Sequence, residues 1–237
     1  MDFQDKLVVV AGGTGELGQV VTARFVNLGA RVWATFLSEA AVATFRTNFP
    51  QESEQVRLER LNALDAKKVD RFVRGLVKKE GVPETLVNLI GGYNRGPAVV
   101  ESTPADFGYM LDLNFNATLN FCRAVLPHMM EKGAGKIVNT AARAGLEGSA
   151  LHGPYAVSKG AVILLTETLA AEVKDRGINV NCVLPSVIDT PGNRQDQPEA
   201  DFSRWVSPAD LAEVILFLAS AASRAIHGAA IPVYGRV

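Results

Sequence analysis

The stretch Gly12-Gly13-Thr14-Gly15-Glu16-Leu17-Gly18 constrains this chain most. It follows a short Val-rich apolar run, Lys6 to Ala11, and precedes a helical pattern that continues to Leu28. An apolar run of that length reads as a parallel strand buried on both faces. Gly12, Gly15 and Gly18 let the backbone turn tightly and come close to a ligand, and the N–H groups that open a helix stabilise an anion. Strand, glycine turn and helix together therefore read as a site for the pyrophosphate of a dinucleotide. Thr14, Glu16 and Leu17 belong to the same candidate site. A tight strand-to-helix turn with no ligand is the plainer alternative.

The rest of the chain repeats the alternation. Strands are expected at Arg31–Phe36, Val56–Leu61, Thr85–Ile90, Gly135–Thr140, Ile178–Leu184 and Ile231–Tyr234. Helical patterns fill the intervals: Glu39–Asn48, a helix capped by Asp65 and running to Lys79, one from Ser102-Thr103-Pro104 to about Lys132, Pro154–Asp175 closed by Gly177, and one opened by Ser207 and Pro208. The expected fold is a single α/β domain over residues 1–237, a doubly wound parallel sheet of about seven strands in the order 3-2-1-4-5-6-7, with helices on both faces and right-handed crossovers. The chain is too short for a separate substrate domain. A polar, Pro-containing stretch at 185–206, with Trp205, is the candidate lid over a pocket built from loops.

Composition excludes several classes of function. The 237 residues carry a net charge of −1, so no basic footprint points to nucleic acid or an anionic membrane. No run is long enough to span a bilayer, and the polar start, Met1-Asp2-Phe3-Gln4-Asp5-Lys6, is unlike a signal peptide. A cytoplasmic location is expected. Cys122 and Cys182 sit in apolar runs and read as buried thiols, neither a disulfide nor a metal pair. No metal site is expected.

Tyr155-Ala156-Val157-Ser158-Lys159 is the candidate centre of the chemistry. Four residues apart in a helix, Tyr155 and Lys159 share a face. A phenol is a weak acid, with a reference pKa of about 10. An ammonium one turn away is expected to lower it toward a useful range for proton donation. Alone, such a pair is more often a solvated helix face.

The cofactor type is left open by the second strand. It ends Thr35-Phe36-Leu37-Ser38. No acid is present to bind an adenine ribose, and no Arg or Lys to bind a 2′-phosphate. Phe36 and Ser38 are nevertheless candidate cofactor contacts, as are Asn62 and Ala63 after the third strand and Gly91 and Gly92 after the fourth. NADH and NADPH are both compatible with these residues.

Taken in order, the glycine loop, Asn88-Leu89-Ile90-Gly91, Asn114, Tyr155-x-x-x-Lys159, Pro185 with Thr190, and His227-Gly228 resemble the short-chain dehydrogenase/reductase superfamily over essentially the whole chain. The resemblance implies an NAD(P)H cofactor, Tyr155 as proton donor, Lys159 on the nicotinamide ribose, and Asn114 positioning a water that links Lys159 to solvent. It places Pro185, Ile188 and Thr190 at the carboxamide and phosphate end. It also implies a homodimer or homotetramer through the helices around 107–130 and 155–173.

The departures from that pattern are informative. The Ser expected thirteen residues before the Tyr is Ala142. Alanine cannot hydrogen-bond a substrate carbonyl, which argues against ordinary alcohol or ketone chemistry. Dihydropteridine reductases look similar in these departures. They too have Gly-Gly-aromatic after strand four, here Gly91-Gly92-Tyr93, and lack the Ser. They carry a nearly identical stretch to Leu184-Pro185-Ser186-Val187-Ile188-Asp189-Thr190-Pro191-Gly192-Asn193-Arg194 and to Pro198 through Trp205. Their Asp at the end of strand two is here Phe36. This resemblance implies hydride transfer to a quinonoid dihydropterin, with Tyr93, Ala142 and Trp205 bordering the substrate. A reductase of quinones, imines or small carbonyls is the second reading, and a catalytically silent dinucleotide-binding module the third.

Overall fold

The computed structural model describes residues 1–237. It contains one seven-stranded sheet with every pairing parallel, in the order β3-β2-β1-β4-β5-β6-β7. The strands are β1 (Leu7–Ala11), β2 (Arg31–Phe36), β3 (Arg57–Arg60), β4 (Thr85–Asn88), β5 (Gly135–Thr140), β6 (Ile178–Pro185) and β7 (Ala230–Val233). The expected strand order and class are thus observed.

Central strand β1 is buried at all its positions, and its alternation divides the core. Leu7, Val9 and Ala11 pack on one face with Phe121 and Met129 of α6 (Ala117–Lys132) and Val69 and Val73 of α4 (Ala66–Glu80). Val8 and Val10 pack on the other with Phe25 of α1 (Glu16–Asn27) and Leu211 and Ile215 of α9 (Pro208–Ala219). A period of two on a sheet covered twice gives two apolar layers from one apolar run.

Helix ends follow their local chemistry. Asp65 accepts from the Lys68 N–H at 3.1 Å to cap α4, and Ser207 accepts from the Asp210 N–H at 3.0 Å to cap α9. Such caps contribute about 1 kcal/mol each. Gly177 adopts φ +71° after α7 (Gly153–Val173) and a short 3₁₀ turn, as its closing role requires.

Three features differ from the sequence expectation. The helix α2 (Glu39–Asn48) is followed at once by a short α3 (Pro50–Gln55), opened by Pro50 in its first turn. The helix expected from residue 104 to 132 comprises α5 (Pro104–Met110), a π turn at Leu111–Asn116, and α6. The polar stretch after β6 contains a helix of its own, α8 (Pro191–Asp196), capped by Thr190. No helix is long and apolar enough to cross a membrane.

Candidate active site

The sheet order reverses between β1 and β4, and the carboxyl ends of these strands carry the two glycine turns. Ligands bind at such a switch point in open α/β sheets. In the first turn, each glycine has a different reason to be glycine. Gly12 has φ +77°, a conformation L side chains rarely adopt. A Cβ on Gly13 would lie 2.7 Å from the Ala34 Cβ, and one on Gly18 would collide with the Gly12 carbonyl. Only Gly15 opens outward, the Gly12 carbonyl at 3.5 Å being the one atom a Cβ there would meet. Gly15 is also the N-cap of α1 and supplies no side-chain cap. The opening amides of α1 are therefore free for a ligand, and this cradle fits a dinucleotide pyrophosphate. Thr14 is buried beside it, while Leu17 packs toward the core.

Glu16 plays a different part. Its carboxylate accepts the Gly192 N–H at 2.9 Å and so ties the start of α8 to the glycine loop. The stretch after β6 is further closed at its base, where the Asp189 N–H donates to the Val206 carbonyl at 2.8 Å. Asn193 donates to the Ile188 carbonyl at 2.8 Å, and the Thr190 hydroxyl accepts the Asn193 N–H at 3.3 Å. Pro185 ends β6, fully within the sheet.

Helix α7 presents Tyr155 and Lys159 at the carboxyl edge. Lys159 is 5% exposed and donates to the Thr140 carbonyl at the end of β5, at 3.0 Å. Asn114, fully buried in the π turn, uses its carboxamide as a clamp. It accepts the Gly92 N–H at 3.0 Å, donates to the Gly92 carbonyl at 3.1 Å, and donates to the Ser158 hydroxyl at 3.0 Å. Gly91 passes between these groups. A Cβ there would lie 2.5 Å from Asn114 Oδ1 and 3.0 Å from Lys159 Nζ. The second glycine turn, Asn114 and the Tyr–Lys helix thus form one packed unit.

Burial sets the proton affinities here. The Tyr155 phenol is pushed up to about 12 by desolvation, with a smaller push from the neighbouring Tyr93. The Lys159 ammonium is pushed down to about 8 by desolvation. The expected lowering of Tyr155 by Lys159 is absent, because the lysine is turned to Thr140 and burial dominates. A phenol in this state holds its proton at neutral pH and is a hydrogen-bond donor.

Around Tyr155 lie the candidate substrate residues. The Tyr93 ring meets the Tyr155 ring edge to face, with centroids 5.1 Å apart and planes at 87°. Ala142 follows β5 in extended conformation, 5% exposed, and offers only a methyl group. Trp205 packs on Phe202 at 4.8 Å between ring centroids, within its own segment.

At the far end of the groove, Phe36 closes β2 and receives the Leu61 N–H at its carbonyl, 2.8 Å away. Ser38 caps α2 by accepting from Ala41 N–H at 3.4 Å. Asn62 is exposed and accepts from Leu64 N–H at 3.0 Å, while Ala63 is buried and receives Asn120 at its carbonyl. Phe36 and Ser38 put no charge at this end, in keeping with the open choice between NADH and NADPH. Cys122 and Cys182 are both free and buried, as expected.

Three contributors escape a reading of motifs. Thr140 holds Lys159 through its main chain, which no side-chain pattern reveals. Ser158 lies inside the Tyr–Lys motif, yet its partner Asn114 is 44 residues away. His152 bonds the Tyr93 hydroxyl at 2.8 Å. Its place one helical turn before Tyr155 was the available signal.

A parallel doubly wound sheet with a glycine cradle and a buried Tyr–Lys helix at its carboxyl edge defines a dinucleotide-binding oxidoreductase. Residues 6–201 match the short chain dehydrogenase family, and the chain belongs to it. The 2-(R)-hydroxypropyl-CoM dehydrogenase of Xanthobacter autotrophicus is 32% identical, with 97% of each chain covered. The 7alpha-hydroxysteroid dehydrogenase of Bacteroides fragilis is 30% identical, over 98% of this chain and 94% of the relative. The structure of ElxO with NADP bound superposes with a TM-score of 0.90 at 27% identity, over 98% of both chains. None of these three is named for a pterin. The expected NAD(P)H cofactor agrees with what ElxO holds.

Proposed function

We propose that the chain is an NAD(P)H-dependent reductase of flat, electron-poor acceptors, with quinonoid dihydropterin as the substrate it suits best. The observation that carries this reading is Ala142. A buried methyl stands where a carbonyl substrate needs a hydrogen-bond donor. A quinonoid ring is already electron-poor and needs one proton rather than a polarised carbonyl. The pterin rests on the resemblance of residues 184–205 to dihydropteridine reductases, read from the sequence alone.

The nicotinamide, when bound, supplies the hydride. Tyr155, which holds its proton at neutral pH, donates it, and Lys159 with the bound cofactor would have to offset the burial that raises its pKa. Lys159 holds the ribose and the local charge. Asn114 fixes Gly92 and Ser158 around the pair, and through its π turn orders the water that links Lys159 to solvent. Gly12, Thr14, Gly15 and the opening amides of α1 bind the pyrophosphate. Pro185, Ile188 and Thr190 border the carboxamide, Phe36 and Ser38 the ribose, and Asn62 and Ala63 the adenine. Residues 185–206 act as a lid on the single domain, tied to the glycine loop by Glu16. Tyr93 and Trp205 border the acceptor. The active form is a homodimer or homotetramer in the cytoplasm.

A second reading is oxidation and reduction of a hydroxyl or carbonyl substrate. It is favoured by the names of the relatives, which include a hydroxypropyl and a hydroxysteroid dehydrogenase. A panel of quinonoid dihydropterin, quinones, imines, ketones and secondary alcohols, compared on kcat/KM, separates the two. The first reading expects the pterin or a quinone to lead by at least roughly tenfold, about 1.4 kcal/mol in the transition state. A ketone or alcohol in the lead would overturn it. Tight dinucleotide binding with no turnover of any acceptor would instead mark a silent binding module.

A further inference from the structure

His152 and Tyr93 form a hydrogen-bonded pair at the mouth of the site that no motif accounts for. The His152 ring is fixed from behind. Its Nδ1 lies 2.7 Å from the Ala150 carbonyl and 3.0 Å from the Ser149 hydroxyl. A carbonyl oxygen can only accept, so in the neutral ring Nδ1 carries the proton and Nε2 is an acceptor. Nε2 is 2.8 Å from the Tyr93 hydroxyl, which must therefore donate to it. The hydrogen of that hydroxyl is used up, and its oxygen keeps lone pairs for a further partner.

The surrounding backbone is arranged to hold this pair. Leu151, just before His152, has φ +66°. That is a left-handed conformation that L side chains other than Asn and Asp seldom adopt, and it persists only where the surroundings enforce it. The Leu151 carbonyl accepts the Gly96 N–H at 3.0 Å, which joins this loop to the one carrying Tyr93. The Tyr93 ring lies edge to face on Tyr155 and is half exposed, so the pair is at once beside the proton donor and open to a ligand.

We propose that Tyr93 and His152 are the specificity pair of the pocket: His152 holds the Tyr93 hydroxyl so that its oxygen accepts a hydrogen bond from the acceptor, selecting rings that bear an N–H or O–H donor beside the reducible bond. Tyr93 touches the substrate, and His152 is a positioning residue. The inference rests on the reading of the chain as a reductase of flat acceptors, and it replaces the donor missing at Ala142 by an acceptor of the opposite sense. A bare ketone offers nothing to such a site, whereas a pterin offers ring N–H and amino groups.

The test uses a matched pair of probes, 2-amino-1,4-naphthoquinone and 2-methyl-1,4-naphthoquinone, with quinonoid dihydropterin beside them. KM is measured for each, or Kd by tryptophan quenching where turnover is absent. Tyr93→Phe keeps the ring against Tyr155 and is expected to weaken the amino probe and the pterin about 3- to 10-fold, the usual worth of one hydrogen bond. The methyl probe is expected to change less than about twofold. His152→Phe, which cannot accept from Tyr93, is expected to act like Tyr93→Phe, and His152→Gln, whose amide oxygen can accept, to recover most of the loss. Equal changes for both naphthoquinones, or no change for either, would overturn the inference. Failure of the wild type on the pterin alone, with the amino-probe selectivity intact, would instead overturn the pterin assignment and leave the pair standing.

Discussion

Lys159 donates to the Thr140 carbonyl at 3.0 Å, binding helix α7 to the end of β5 from inside the protein. This contact explains how an ammonium is tolerated at 5% exposure. Burial nevertheless lowers the Lys159 pKa to about 8, below the ordinary 10.5, because it disfavours the charge. The unfolded chain binds the proton more tightly than the folded one. Stability therefore gains as pH rises from about 8 to 10.5, and that gain is lost as pH falls back through 8. Lys159→Met should remove this dependence. Its stability relative to the parent should be highest near pH 7, and the advantage should shrink by about 3 kcal/mol on going above pH 10.5. Denaturant unfolding of both proteins without cofactor across this range measures the difference, and a pH-independent difference would show that Lys159 is not strained by burial.

Tyr155→Phe should lower kcat for the best acceptor by roughly 10²- to 10⁴-fold, the usual contribution of a positioned proton donor. The ring remains against Tyr93, so NAD(P)H affinity should hold within about twofold, as fluorescence titration would reveal. Unchanged turnover would remove Tyr155 from the chemistry. In the cofactor-free protein, the ultraviolet titration of Tyr155, read as the difference from the Phe variant, should fall near 12 rather than 10.

Ala142→Ser places a hydroxyl at the end of β5 with an increase of one oxygen atom. It should raise kcat/KM for ketones by at least roughly tenfold, about 1.4 kcal/mol, while leaving the pterin or quinone within about threefold. If ketones gain nothing, the missing donor is not what limits them.

Two glycine variants should fail in different ways. Gly91→Ala would put a methyl 2.5 Å from Asn114 Oδ1 and 3.0 Å from Lys159 Nζ. It should cost about 1–3 kcal/mol of stability by overpacking and disable the enzyme. Gly15→Ala meets only the Gly12 carbonyl at 3.5 Å, so the fold should stand while dinucleotide affinity falls. Thermal unfolding and NAD(P)H titration, run on both, distinguish a structural glycine from one that faces the ligand.

The sheet was legible in the sequence because strands such as Leu7–Ala11 are buried on both faces and read as unbroken apolar runs. The caps Asp65 and Ser207 were legible because they act on amides three residues away. The π turn at Leu111–Asn116 was not, since nothing in its composition departs from an ordinary helix; the clamp of Asn114 on Gly92, 22 residues away, belongs to the tertiary fold. The same holds for the proton affinities. Spacing put Lys159 beside Tyr155, but burial and the Thr140 carbonyl decided how each holds its proton. The side chain of Trp205 stood out as a candidate substrate contact, yet its visible partner is Phe202.

Steady-state reduction of quinonoid dihydropterin, with NADH and NADPH run in parallel, tests the central claim most directly. Turnover is expected, with one of the two cofactors strongly preferred, which would also decide what Phe36 and Ser38 admit at the ribose. No turnover with either cofactor, from protein that binds both, would contradict the pterin assignment.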